Sequence, residues 1–316
     1  MVAVRIAVLS LALAAGGAAA SAALLGFPTT GTDDANITFV YARNLANGDG
    51  LVFTPGHERV EGFTSAGWML VCSAVFWLLP WREPALLAVS IALAAATAAA
   101  QLALVRTLFA GSRLAVALAL GWLVATPAFW AWTTVSLMDV ALFAAFVHGM
   151  TLTLVGTLTG GGPRAKWGLA ACCAAAVLTR PESMALVPGV LLVGVLGGRA
   201  RAPDLRAAVR PVLPAIAAFA GTLLALTLFR LAYFGYPLPN TYYAKVPPSR
   251  AFAAMEGLDY LVGFALDQPL VLLLVPGLVA ALRPLRALLG AQPAVSPSKA
   301  AVFAAPEERQ PESQPR

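Results

Sequence analysis

Charge is what this sequence has least of: Asp, Glu, Lys and Arg together make up 11% of the 316 residues, while 59% are hydrophobic. Mean hydropathy is +0.79. That balance excludes the pair of ordinary soluble domains that the length alone suggests, because no water-exposed surface accommodates so much apolar side chain. Histidine is limited to His57 and His148, and neither HExxH nor CxxC occurs, which excludes a histidine-rich zinc site. Cysteine is limited to Cys72, Cys172 and Cys173. All three lie in apolar runs and read as buried thiols, and the adjacent Cys172 and Cys173 would pair only with strain. Ten-residue alternating segments are missing too, which excludes a transmembrane barrel.

The net charge of +6 does not cluster with aromatic residues, so nucleic acid is not expected as a partner. The basic residues sit instead in short loops between apolar runs, several of which reach or approach the ~20 residues that cross a hydrocarbon layer. The expected fold is all-α, a polytopic membrane protein of about eight transmembrane helices with interfacial helices in its first outer loop. The expected spans are 5–26, 85–105, 114–131, 138–158, 166–179, 184–198, 211–233 and 268–282, within a membrane domain over 1–290. Residues 249–266 read as another interfacial helix, and 291–316 as a disordered Pro-rich tail. The first segment also has the small-residue AAASA of a cleavable signal peptide, but its length favours a retained span.

Residues 65–80 are apolar, Trp-rich and marginal in length. If they do not cross, Arg106, Arg113, Arg164, Lys166, Arg199, Arg201, Arg206 and Arg210 all fall in inside loops, with Asp204 as their single acid. If they cross, every later loop is inverted and the basic loops face outward. The preference of cationic loops for the inside selects the first arrangement, a multi-pass protein of the cell membrane. The first loop, 27–83, which contains the longest polar interval, 32–64, then lies outside. Within it Thr32 is expected to cap a short helix that opens on Asp33 and Asp34, where the helix dipole favours negative charge. Ile37, Val40, Tyr41 and Leu45 give that helix an apolar stripe for the membrane surface. Asn36-Ile37-Thr38 matches a glycosylation sequon, and the segments around Thr54-Pro55-Gly56-His57 read as a small hairpin. Three shorter polar clusters share the outer face: Ser136–Asp139, Thr179–Glu182 and Pro237–Lys245.

Charged residues beside a hydrocarbon layer are costly and mark candidate sites. Asp33 or Asp34 could serve as a general base for a sugar hydroxyl. Arg180, by bidentate contact, and Lys245, as a point charge, could hold a lipid phosphate. Taken one at a time, the same residues also serve as helix caps and as interfacial charges reaching toward headgroups.

These residues also carry a resemblance. The run DDANITFVYARNLANGDGLVFTPGHERVEGFTSAGW resembles the first outer loop of the GT-C membrane glycosyltransferases, closest to the arabinofuranosyltransferase-like group. LTRPES resembles that group's L-T-R-P-E-G, and FGYPLPNTYYAK its P-N-T-x-Y-x-K element. Asn36 and Thr54 depart from the Tyr and Asn usual there, and Met138-Asp139 stands in for Gly-x-Glu. Members of the group continue with further spans, which marks this chain as a short or truncated relative. The resemblance implies sugar transfer from a polyprenyl-phosphate donor to a cell-envelope glycan or other extracytoplasmic acceptor. It implies an extracytoplasmic site and a first-loop Asp as base, Asp33 or Asp34 with the first slightly favoured. Arg43, His57, Glu61, Asp139, Arg180, Glu182, Asn240, Tyr242, Tyr243 and Lys245 become candidate donor or acceptor contacts. No cofactor is expected, and a divalent metal stays open. The alternative is a catalytically silent membrane subunit that binds lipid-linked sugar or a partner. A secondary transporter fits less well, since its polar groups would sit at mid-membrane and its halves would repeat.

Overall fold

The structure, a computed structural model, describes residues 2–26, 28, 30–80, 82–200, 202–245 and 249–267. Among the described residues it is all-α with no strand. In order the helices are α1 (Val2–Leu25), α2 (Asp33–Asn47), α3 (Ala66–Leu78), α4 (Arg82–Leu108), α5 (Arg113–Ala125) and α6 (Pro127–Trp130), which runs into a π-turn over Ala131–Val135. There follow α7 (Val140–Leu158), α8 (Gly162–Thr179), α9 (Ser183–Arg199), α10 (Leu205–Val209), α11 (Leu213–Phe234), α12 (Asn240–Lys245) and α13 (Arg250–Asp267).

Four of these, α1, α4, α7 and α11, are long and apolar enough to cross a membrane. The expected straight span over 114–131 is instead broken: α5 and the segment Pro127–Val135 meet at 70°. Pro127 explains the break. Its ring pushes Thr126 out of the helical region, to φ −117° and ψ 72°, and its missing N–H removes a helical bond. Counted as one broken span, the pair makes a fifth candidate. The expected spans over 166–179 and 184–198 form α8 and α9, but α8 carries Arg164 and Lys166 near its start and α9 has only 17 residues. Neither qualifies as a membrane-crossing helix, so eight spans are not reached among the described residues. The expected span 268–282 and the tail 291–316 lie outside them. At ~1.5 Å per residue the 13 residues of α3 reach about 20 Å, short of a ~30 Å hydrocarbon layer. α13, in place of the expected interfacial helix 249–266, is exposed along nearly its whole length.

Two of the apolar cores hold together the helices around the site. In one, Ala35, Phe39 and Ala42 of α2 meet Trp68, Cys72 and Phe76 of α3, with Leu86 of α4 and Leu142 of α7 behind them. In the other, Met150 and Leu154 of α7 pack on Leu169 and Cys173 of α8, Val187 and Leu191 of α9, and Ala215 of α11. Much of the apolar stripe expected to lay α2 on the membrane is thus spent on protein packing: Tyr41 is buried, although Ile37 remains exposed.

The expected hairpin around His57 does not form, because side chains of α2 satisfy the backbone that a partner strand would have satisfied. Asn44 Nδ2 donates to the carbonyls of Val52 (2.8 Å) and Phe53 (3.0 Å). The Tyr41 hydroxyl donates to Val60 O at 2.6 Å and accepts from Gly62 N–H at 3.0 Å. Gly62 is needed there, since a Cβ would lie 2.9 Å from that hydroxyl oxygen.

Candidate functional site

The site begins where three chain segments are fastened to one another. Ser136 O accepts from the Thr32 amide (3.1 Å) and from the Thr32 hydroxyl (3.4 Å). Thr32 therefore sits at the N-cap position of α2, but its hydroxyl is turned to the neighbouring loop and makes no capping bond. The next carbonyl, of Leu137, accepts from Trp68 Nε1 at 3.0 Å. Leu137 is fully buried with φ +53°, a left-handed backbone that side chains rarely adopt. Gly31 allows this close approach: a Cβ there would lie 3.2 Å from both Leu137 Cβ and Ser136 O.

This stitching places Asp34, on the first turn of α2, and Asp139, the N-cap residue of α7, on the wall of one cavity of about 120 Å³ with Thr38, Ser65, Trp68 and Thr241. Asp33 is exposed and is not part of that lining. Arg180, at the C-cap of α8, donates to Asp139 Oδ1 through Nη1 (3.2 Å) and to Glu182 through Nε (3.2 Å) and Nη2 (2.9 Å). One guanidinium thus serves two carboxylates with different fates. Asp139 has 8% of its side chain exposed, and burial raises its carboxyl above the usual range, with Arg180 opposing. Glu182 is 57% exposed, and the hydrogen bonds from Arg180 hold its carboxyl below the usual range.

The loop before α3 is tied to α11 by a second ion pair. Glu61 and Arg230 have 3% and 9% of their side chains exposed and share three hydrogen bonds of 2.8–3.1 Å. Burial raises the Glu61 carboxyl, and Arg230 works against that rise. Glu61 O also accepts from the Asn240 amide at 3.0 Å, which hangs α12 from the same loop.

Beside the small cavity lies an apolar groove of about 710 Å³, walled by Val177, Met184, Leu223 and Leu226 and reached by Arg230. Thr64 and Thr241 line both spaces, so the two adjoin. Ser183 Oγ and Thr241 Oγ1, both on the groove wall, are buried hydroxyls with no hydrogen-bond partner.

Of the other expected contacts, Tyr242 faces the groove, while Glu61, Asn240 and Tyr243 line a third cavity of about 500 Å³. His57 is exposed at a turn in which its amide donates to Thr54 O. Arg43 is exposed nine residues after Asp34, about half a turn around α2 from it. Lys245 ends α12, and its side chain lies outside the described residues. Arg230 and Trp68 were not singled out from the sequence as site residues. The signal for Arg230 was an arginine inside an apolar run, the same rule that marks Arg180.

Two carboxylates on one cavity wall can take and hold a proton, and a neighbouring groove can take a hydrocarbon chain. Among the described residues no group of three or more His, Cys, Asp or Glu side chains is placed to hold a metal ion. No family model, curated protein or solved structure matches the chain.

Proposed function

We propose that this chain is a membrane glycosyltransferase that moves a sugar from a polyprenyl-phosphate donor to a glycan acceptor on the extracytoplasmic side. The observation that carries the reading is the junction at Thr64 and Thr241, where a cavity bearing Asp34 and Asp139 adjoins a large apolar groove. An isoprenoid chain suits the groove, and its head would then lie at the junction. The unpartnered hydroxyls of Ser183 and Thr241 give that head two donors otherwise left orphaned. Arg180 supplies the cation, the donor phosphate taking the place of the exposed Glu182 on its guanidinium. In the reaction Asp34 accepts the proton of the acceptor hydroxyl as that oxygen bonds to the anomeric carbon. The bond from that carbon to the phosphate oxygen breaks, and the polyprenyl phosphate leaves with the electron pair. Asp34 is preferred to Asp33 because it alone of the two lines the cavity.

The competing reading, a subunit that binds lipid-linked sugar without turnover, draws on the two carboxylates that already neutralise Arg180. The purified chain in detergent, supplied with polyprenyl-phosphate pentofuranose or hexose and a glycan acceptor, decides between them. Transfer is expected from wild type, with a loss of about 10²–10⁴-fold in Asp34→Asn and near-normal rates in Asp33→Asn. Donor binding with no transfer would establish the silent subunit. Full rates in both variants would sink the base assignment.

A further inference from the structure

We infer that the 500 Å³ cavity between the Glu58–Glu61 strip and the α11–α12 turn is the binding site for a neutral saccharide, the acceptor of the transfer proposed above. Its volume falls in the ~300–1,000 Å³ range of small-molecule sites. Two of its walls are exposed tyrosines: Tyr236 is 62% exposed and Tyr243 46% exposed, their ring centroids 5.8 Å apart and tilted by 60°. Open tyrosine rings beside hydrogen-bonding side chains suit a sugar. The electron-rich ring face meets the C–H face of the sugar, and the hydroxyls at its edge are left for polar partners. Those partners are Glu58, Arg59 and Asn240, all exposed on the same lining.

Charge decides against an anionic ligand. Glu61 is neutralised by Arg230, and the remaining charges on the lining are one carboxylate, Glu58, and one guanidinium, Arg59. Arg59 is moreover engaged over the Tyr233 ring, 4.6 Å from its centroid. A phosphate would find no surplus positive charge here, whereas a polyhydroxylated neutral ligand finds donors and acceptors in balance.

Position ties the cavity to the reaction. Residues 58–61 line it, and residues 62–65, the continuation of the same strip, line the cavity of Asp34 and Asp139. On α12, Asn240 and Tyr243 face the saccharide cavity while Thr241, between them, faces the junction. The two cavities are thus lined by consecutive residues of the same two segments. The inference rests on the transferase reading for the word acceptor, but not for the binding.

The test is equilibrium binding to the full chain in detergent, without donor, of neutral trisaccharides of glucose, mannose, galactose and arabinofuranose at up to millimolar concentration. Saturable binding of at least one is expected. Tyr236→Ala and Tyr243→Ala should each weaken it about tenfold, and Tyr236→Phe and Tyr243→Phe, which keep the rings, should retain it. Asp34→Asn should bind as wild type does. No binding by any trisaccharide, or binding indifferent to both alanine variants, overturns the inference even where transfer is observed. Binding with these responses but no transfer leaves the saccharide site standing and removes the transferase reading instead.

Discussion

Arg230 grips Glu61 through three hydrogen bonds of 2.8–3.1 Å, joining the C-terminal part of α11 to a loop 169 residues earlier in the chain. Both side chains are at least nine-tenths buried, so each charge depends on the other. Removing one partner from such a pair costs about 3–5 kcal/mol, because the survivor stays buried and unpaired. Arg230→Met and Glu61→Gln are therefore expected to lower the midpoint of thermal unfolding in detergent sharply. The double variant should recover part of the loss. A loss in the double variant equal to the sum of the two single losses would mean that the pair is not coupled.

Trp68 has a structural task as well as a place on the cavity wall. Its indole N–H satisfies the buried carbonyl of Leu137, the residue held at φ +53°. Trp68→Phe keeps much of the packing but strands that carbonyl, at a cost of about 1–3 kcal/mol. Because Asp139 follows two residues later, the same change should also slow transfer. Thermal unfolding and turnover measured together check this, and a loss of stability without loss of rate would separate the two tasks.

Much of the helical frame was legible because hydrocarbon thickness imposes length. The runs expected over 5–26, 85–105, 138–158 and 211–233 appear as α1, α4, α7 and α11 with ends shifted by a few residues. The loop around His57 was misread because turn residues announce a reversal but not what satisfies its backbone. That backbone is satisfied by Asn44 and Tyr41, placed by the packing of α2 on α3. The break at Pro127 was present as a proline in an apolar run, yet a proline can also bend a span only slightly. Of Asp33 and Asp34 the sequence slightly favoured the first, whereas the cavity lining takes in Asp34 and not Asp33. The bonds from Thr32 to Ser136, which fix the start of α2 against the loop before α7, were not legible in the sequence.

Arg180 offers a direct test of donor recognition. Its guanidinium already makes three hydrogen bonds to carboxylates, so a phosphate must compete with Glu182 for it. Glu182→Gln weakens the competitor and should lower the donor KM, whereas Arg180→Ala should raise it by about ten- to a hundredfold, the loss of one or two charge-assisted bonds. Initial rates at varied donor concentration distinguish these outcomes. An unchanged KM in both variants would remove Arg180 from the donor site.

The two carboxylates on that guanidinium should also give opposite pH signatures. Burial raises Asp139 above the ordinary aspartate value of 3.8, so the folded state holds its proton more tightly than the unfolded chain does. Its contribution is present at low pH and is lost as pH rises through the raised value. Arg180 lowers Glu182 below the ordinary glutamate value of 4.5, so its contribution is present above that value and is lost as pH falls through the depressed one. Relative to wild type, Asp139→Asn should therefore become comparatively more stable as pH rises from the acid side toward neutrality. Glu182→Gln should become comparatively less stable over the lower part of the same range. The Glu182 effect is expected to be the smaller, because its exposed side chain is screened by water. Unfolding midpoints of the three proteins across that range measure both slopes, and parallel curves would show that Arg180 does not divide the pair.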